Sequence, residues 1–143
     1  MSTLGSIVRA ALAGILIASV AACLPGAPLE GTDWRAVAVG GEAPVPGREP
    51  TIAFSGGKVT GSGGCNGYGG AYRLDGDRIT FSELGMTAMG CPGPEMAVEA
   101  RFSQLLSQVQ RAAVAGDRLT LVSPAGNLDF VRVAPGGGGA GAG

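Results

Sequence analysis

The sequence predicts an α+β fold: a mostly antiparallel β-sheet, meandering or curled into an open barrel, with one α-helix packed on it. Three observations carry this expectation. The pairs Gly56-Gly57, Asn66-Gly67 and Asp75-Gly76 separate short, alternating apolar segments at hairpin spacing. From about residue 94 to 111, Val98, Phe102, Leu105 and Val109 recur at i, i+4, i+7 and i+11, the stripe of a helix. Two more alternating segments, Arg118–Ser123 and 128–133, end the ordered part of the chain.

Taken in order, the first strand is 34–39, opened by Trp34. As the only Trp it is expected in the core rather than at a binding site. Residues 40–50 hold three Pro and three Gly and form a loop. Thr51–Ser55 turns through Gly56-Gly57 into 58–60, and Asn66-Gly67 leads into a strand over 68–74. Asp75-Gly76 then leads into 78–82, while 84–90 follows no clear period. Cys91-Pro92-Gly93-Pro94 stops what precedes it; Pro94 suits the first helical turn, and Glu95 and Glu99 suit its positive dipole end.

The run Gly61-Ser62-Gly63-Gly64-Cys65-Asn66-Gly67-Tyr68-Gly69-Gly70-Ala71-Tyr72 stands apart, because six of its twelve residues are Gly. Such a backbone needs positive φ or the close approach of another segment. A phosphate loop does not fit. No Gly-Lys-Ser/Thr follows, Asn66 stands where a third Gly is required, and no helix begins there. Asn66 reads as a turn former tolerant of positive φ or as an amide offered to a ligand; the first needs nothing else to hold. Asn66, Gly67, Tyr68 and Tyr72 make up the candidate binding loop.

Catalytic chemistry finds little support. There is no His to serve as a base; Asp75, Asp77, Glu83, Glu95 and Glu99 could supply a carboxylate pair, but the two Asp flank a turn glycine and Glu95 and Glu99 start a helix, ordinary structural uses. No catalytic residue, metal or cofactor is expected, since two Cys without His do not complete a zinc set.

The first 22 residues carry one charge, Arg9, and an apolar run from Ala10 to Ala22, short for a bilayer span. Val20-Ala21-Ala22-Cys23 resembles a bacterial lipobox, with Cys23 as the lipid-bearing first residue of the mature chain; plain secretion is the alternative. The organisation expected is a lipoprotein signal peptide over 1–22, a Pro/Gly tether over 23–32, a domain over 33–133 and a disordered Gly-rich tail over 134–143. Acyl chains at Cys23 would bind at about 0.8 kcal/mol per buried CH2, so the domain needs no greasy face of its own. Without Arg9, nine basic side chains face eleven acidic ones, a balance of −2 that argues against nucleic acid as partner. Cys65 and Cys91 remain. Outside the cytoplasm an even pair favours a disulfide, closing a loop worth about 3 to 4 kcal/mol; two buried free thiols are the alternative.

Trp34, Gly61 to Tyr68 with Tyr72, Thr87-Ala88-Met89-Gly90-Cys91, Glu99 with Phe102 and Leu106, Leu119-Thr120-Leu121 and Phe130 together resemble the META domain, the HslJ-like family of small bacterial envelope proteins. The resemblance spans about 31–133, departing in the Pro-rich loop 40–50 and the glycine tail. It implies a compact antiparallel β fold with one helix, Cys65 paired with Cys91, and a link to envelope stress, heat shock or drug tolerance. The function expected is that of a non-catalytic lipoprotein held to a membrane through Cys23 on the extracytoplasmic side, at its periplasmic face. Leu24 after the Cys suits transport to an outer membrane. A ligand-binding or enzyme-inhibitor module, meeting an envelope protein or a small ligand through the glycine loop, is the alternative.

Overall fold

The computed structural model describes residues 29–135. The predicted signal peptide, Cys23, most of the tether and nearly all of the glycine tail lie outside these residues. Leu29 and Glu30, at the end of the predicted tether, are part of the packed body: Leu29 is fully buried, and Glu30 accepts hydrogen bonds from Gly56 N–H and the Tyr72 hydroxyl.

Among the described residues eight strands follow one another around a closed barrel, each antiparallel to the next, with β8 returning to β1. They are β1 (Thr32–Val39), β2 (Thr51–Ser55), β3 (Lys58–Ser62), β4 (Gly67–Asp75), β5 (Arg78–Met86), β6 (Arg111–Ala115), β7 (Arg118–Ser123) and β8 (Gly126–Val133). One helix, α1 (Glu95–Leu106), interrupts the meander between β5 and β6 and packs against β1, β7 and β8. The open sheet allowed for by the sequence is thus corrected to a closed one. Closure comes from the β1–β8 ladder, which runs from Asp33 opposite Val133 to Val39 opposite Leu128. Such long-range pairing leaves no local mark on either strand.

Alternation puts one face of each strand inside. Trp34, Ile52, Phe54, Val59, Ile79, Leu119, Leu121, Leu128 and Phe130 fill the core with at most 1% of their surface exposed, joined by Phe102 and Leu105 from α1. In β1 the register shifts between Ala36 and Ala38, which restores Val39 to the interior after Val37 points outward. Trp34 is completely buried as expected. Its indole N–H donates to Thr32 Oγ1 at 2.7 Å, and the Arg132 guanidinium lies 4.6 Å from its ring.

The hairpins at Gly56-Gly57 and Gly76 stand where the sequence places them; Gly56 and Gly57 both have positive φ, 60° and 74°, as a tight two-residue turn requires. Two boundaries differ. The stretch 84–90 begins as the continuation of β5 to Met86. The helix expected to reach residue 111 stops at Leu106, and Arg111–Ala115 is a strand that the sequence did not announce. Ser107 ends the helix by donating its hydroxyl to Gln104 O, after which Gln110 N–H bonds Val122 O and the chain joins β7. Ala favours helix intrinsically, yet pairing with β7 and burial of Ala112 outweigh that preference.

Candidate functional site

The glycine segment links β3 to β4, and its composition follows from what presses against it. At Gly61 a Cβ would stand 2.1 Å from the Thr51 carbonyl oxygen; at Gly63 it would stand 2.8 Å from Glu99 Cγ. Neither position has room for any side chain. Gly64 supplies the positive φ of the connection, 120°, and Asn66 does not. The turn-former reading of Asn66 is therefore corrected: it is held by hydrogen bonds of its side chain.

Those bonds converge from two directions. Glu99, one turn into α1, points its carboxylate into the connection: Oε2 accepts the backbone N–H of Cys65 at 2.9 Å and of Asn66 at 2.5 Å, and Oε1 accepts Asn66 Nδ2–H at 2.6 Å. On the other side Asn66 pairs with the main chain of Met89 as a strand neighbour would. Its Nδ2–H donates to Met89 O at 3.0 Å, while Oδ1 accepts Met89 N–H at 2.7 Å and the Thr87 hydroxyl at 3.1 Å. Asn66 and Glu99 are 2% and 5% exposed, so each bond is made out of water, where an unmade one is costly.

Beside this cluster Cys65 and Cys91 form a disulfide with their Cα atoms 6.0 Å apart, within the usual span. The free-thiol alternative is set aside. Disulfide and amide together tie the segment 87–91 to the glycine connection, and Glu99 ties both to the helix.

The candidate binding loop is not presented as a unit. Tyr68 is 8% exposed; its hydroxyl donates to Thr51 O at 2.7 Å, its ring lies 5.6 Å from that of Phe102, and burial pushes its phenol far above the ordinary range. Gly67 is exposed as the first residue of β4, its carbonyl accepting Thr87 N–H. Tyr72 lies apart, edge-on to Phe54 at 4.9 Å and donating to Glu30 Oε2 at 2.7 Å. Partial burial, then the neighbouring Glu30 carboxylate, raise its phenol well above normal. Asn66 and Tyr68 share the packing around α1; Tyr72 belongs to the other end of β4.

Glu99 is the residue whose role the sequence hid. Its position was legible, since Glu99, Phe102 and Leu106 recur at i, i+3 and i+7 and place a carboxylate on the apolar face of α1. The other acidic candidates do not gather: Asp75, Asp77 and Glu83 are exposed, Asp77 reaching Arg111 at 3.7 Å, and Glu95 is half-buried at the helix start. Among the described residues no group of three or more His, Cys, Asp or Glu could hold a metal ion.

A closed eight-stranded antiparallel barrel with one helix between its fifth and sixth strands, pinned by a disulfide and a buried Asn–Glu pair, defines the class of protein. The META domain profile matches residues 27–135, and the chain belongs to the META domain family. The NMR structure of a protein from Burkholderia xenovorans is similar, with 27% identity over 76% of this chain and 86% of that one, at a TM-score of 0.63. A second protein solved by NMR shares the fold at 22% identity, over 76% of this chain and 94% of its own, at a TM-score of 0.65. No curated protein sequence matches the chain.

Proposed function

We propose that this META-family chain is a non-catalytic lipoprotein of the bacterial cell envelope, held through Cys23 on the extracytoplasmic side, where it contributes to envelope integrity or to stress and drug tolerance. The Cys65–Cys91 disulfide is the observation that carries this reading, because such bonds persist in oxidising compartments and are rare in the cytosol. It agrees with the lipobox-like Val20-Ala21-Ala22-Cys23. The non-catalytic part is supported by how the polar groups are used: the amide of Asn66, the carboxylate of Glu99 and the hydroxyl of Tyr68 are each engaged inside the protein. The tolerance role rests on the family resemblance. Cells fed a clickable palmitate analogue test the anchor. Wild type should label and partition with membranes, and Cys23→Ala should do neither; equal labelling of the two discards the lipoprotein reading.

A further inference from the structure

The Asn66-Gly67 pair is chemically labile. Glycine has no Cβ, so its nitrogen is unhindered and its backbone turns freely. That nitrogen can attack the preceding side chain: a bond forms from Gly67 N to Asn66 Cγ, the Cγ–Nδ2 bond breaks, and ammonia leaves with the Gly67 amide proton. Water then opens the succinimide ring at either carbonyl, giving aspartate or isoaspartate. The folded chain blocks the first step. Both hydrogens of Asn66 Nδ2 are donated, to Met89 O at 3.0 Å and to Glu99 Oε1 at 2.6 Å, and Oδ1 accepts Met89 N–H at 2.7 Å and the Thr87 hydroxyl at 3.1 Å. The side chain cannot swing to the Gly67 nitrogen without giving up these bonds inside the protein, where their loss is costly. Gly67 is itself fixed opposite Ser62 in the β3–β4 ladder, its carbonyl accepting Thr87 N–H.

Three of those four bonds come from one segment. Thr87 and Met89 lie between the end of β5 and Cys91, and every residue from Ser82 to Gly90 is exposed, so little apolar burial holds the segment down. The Cys65–Cys91 bond fixes its far end beside Asn66. Both cysteines are half-buried, within reach of a small dithiol. Exchange with such a dithiol transfers two electrons, leaving two thiols here and a disulfide in the reagent. The segment then runs unfastened from β5 to α1, and the Asn66 amide keeps one bond of four, that to Glu99. Reaction at this point is one-way. A carboxylate at position 66 sets oxygen against Glu99 Oε1 where a donor stood, like charges out of water. Isoaspartate also lengthens the main chain by one carbon, in a connection where Gly61 and Gly63 have no space to yield.

We propose that Asn66-Gly67 is a deamidation site gated by the Cys65–Cys91 disulfide: silent while the staple is closed, and reacting once it is opened, after which the grip of Glu99 on residue 66 is not regained. The site does not depend on the anchoring reading.

Incubation of the purified full chain in mildly alkaline buffer tests it, with and without dithiothreitol and in urea, the emission of Trp34 reporting whether the barrel stays folded. Trypsin releases 59–73, which holds Asn66, and 119–132, which holds Asn127, the other Asn of the chain, followed by the bulky Leu128. In the reduced, folded chain 59–73 should gain the mass of OH over NH2 at least about tenfold faster than in the oxidised chain, a ratio set by how often the segment opens. Isoaspartyl methyltransferase should label it, and 119–132 should stay unchanged. Gly67→Ala, whose Cβ would meet only the Gly61 carbonyl oxygen at 3.8 Å, should fold and react at least about tenfold more slowly under reduction, because the methyl shields the nitrogen. After reoxidation the reacted fraction should unfold at lower urea than the unreacted one. The proposal is overturned if the oxidised chain reacts as fast as the reduced one, or if Gly67→Ala reacts like wild type. A reduced, folded chain that stays intact while the chain in urea reacts would overturn it too, since Glu99 alone would then be the lock. Loss of the barrel on reduction, read from Trp34, would make general unfolding the gate and discard the staple's part in it.

Discussion

Glu99 and Asn66 grip each other at two points: one carboxylate oxygen takes the Asn66 backbone N–H at 2.5 Å and the other takes its side-chain amide at 2.6 Å. What the Asn66 amide has left goes to the Met89 main chain and the Thr87 hydroxyl. The helix, the β3–β4 connection and the segment after β5 therefore meet on two side chains, and each can be removed singly.

Glu99→Gln tests the grip. Three N–H donors face the two oxygens of Glu99, and an amide offers one oxygen while turning its own donors against the rest. We expect a loss of about 2 to 3 kcal/mol, the scale of a buried hydrogen bond to a charged group. Urea unfolding followed by the emission of Trp34, the only Trp, reads it. Glu42→Gln, exposed and on a loop, should change stability by no more than about 0.5 kcal/mol.

Gly61→Ala should be poorly tolerated although the residue sits in a strand where Ala is otherwise harmless. The new methyl would meet the Thr51 carbonyl oxygen at 2.1 Å and the Tyr68 hydroxyl at 2.9 Å, displacing the bond between them. A cost of about 2 to 3 kcal/mol is expected from overpacking, with a lower melting temperature as the measurement. Gly85→Ala, where a Cβ meets nothing within 4 Å, should cost far less.

Reduction of Cys65–Cys91 should lower stability by about 3 to 4 kcal/mol while leaving the barrel ladders in place. The Met89 amide, whose hydrogen bond to Asn66 depends on the stapled segment, should lose protection from hydrogen exchange before the amides of the β1–β8 ladder do. Intact mass under non-reducing conditions should fall below the reduced value by two hydrogens. Two titratable thiols in the native protein would remove the staple and the compartment inferred from it.

Glu30 gives a pH dependence of known sign. The Tyr72 hydroxyl, and after it the Gly56 N–H, hold its carboxyl below the ordinary value. A folded-state value below the unfolded one adds stability above the unfolded pKa, and this is lost as pH falls through the folded pKa. The gap in stability between wild type and Tyr72→Phe should accordingly be larger near pH 7 than near pH 2, about two units below the model-peptide Glu value. Glu30 is fully exposed, so the gap is expected to shrink in high salt. A gap that widens on acidification would contradict the arrangement.

Local chemistry made much of the fold legible. Turn glycines placed the hairpins at 56–57 and 76, alternation placed β7, and the apolar stripe found α1. What stayed hidden is non-local. The glycines at 61 and 63 announced positive φ or a close approach, and the structure shows the close approach; what approaches stayed hidden, because the excluding atoms belong to Thr51 and Glu99, outside the run itself. β6 was masked by Ala residues that favour helix until β7 pairs with them. Asn66 resembled a turn residue because Asn-Gly is a turn signal; its actual partners lie 23 and 33 residues away.

Asp33 stands opposite Val133, so the barrel's entrance and exit share one pole. The Cys65–Cys91 staple lies at the other, where β3 hands over to β4 and β5 leaves for α1. The described chain thus enters and leaves the barrel on the same side. Labels at Asp33 and at Val133 would therefore lie close together and report on the pole opposite the staple.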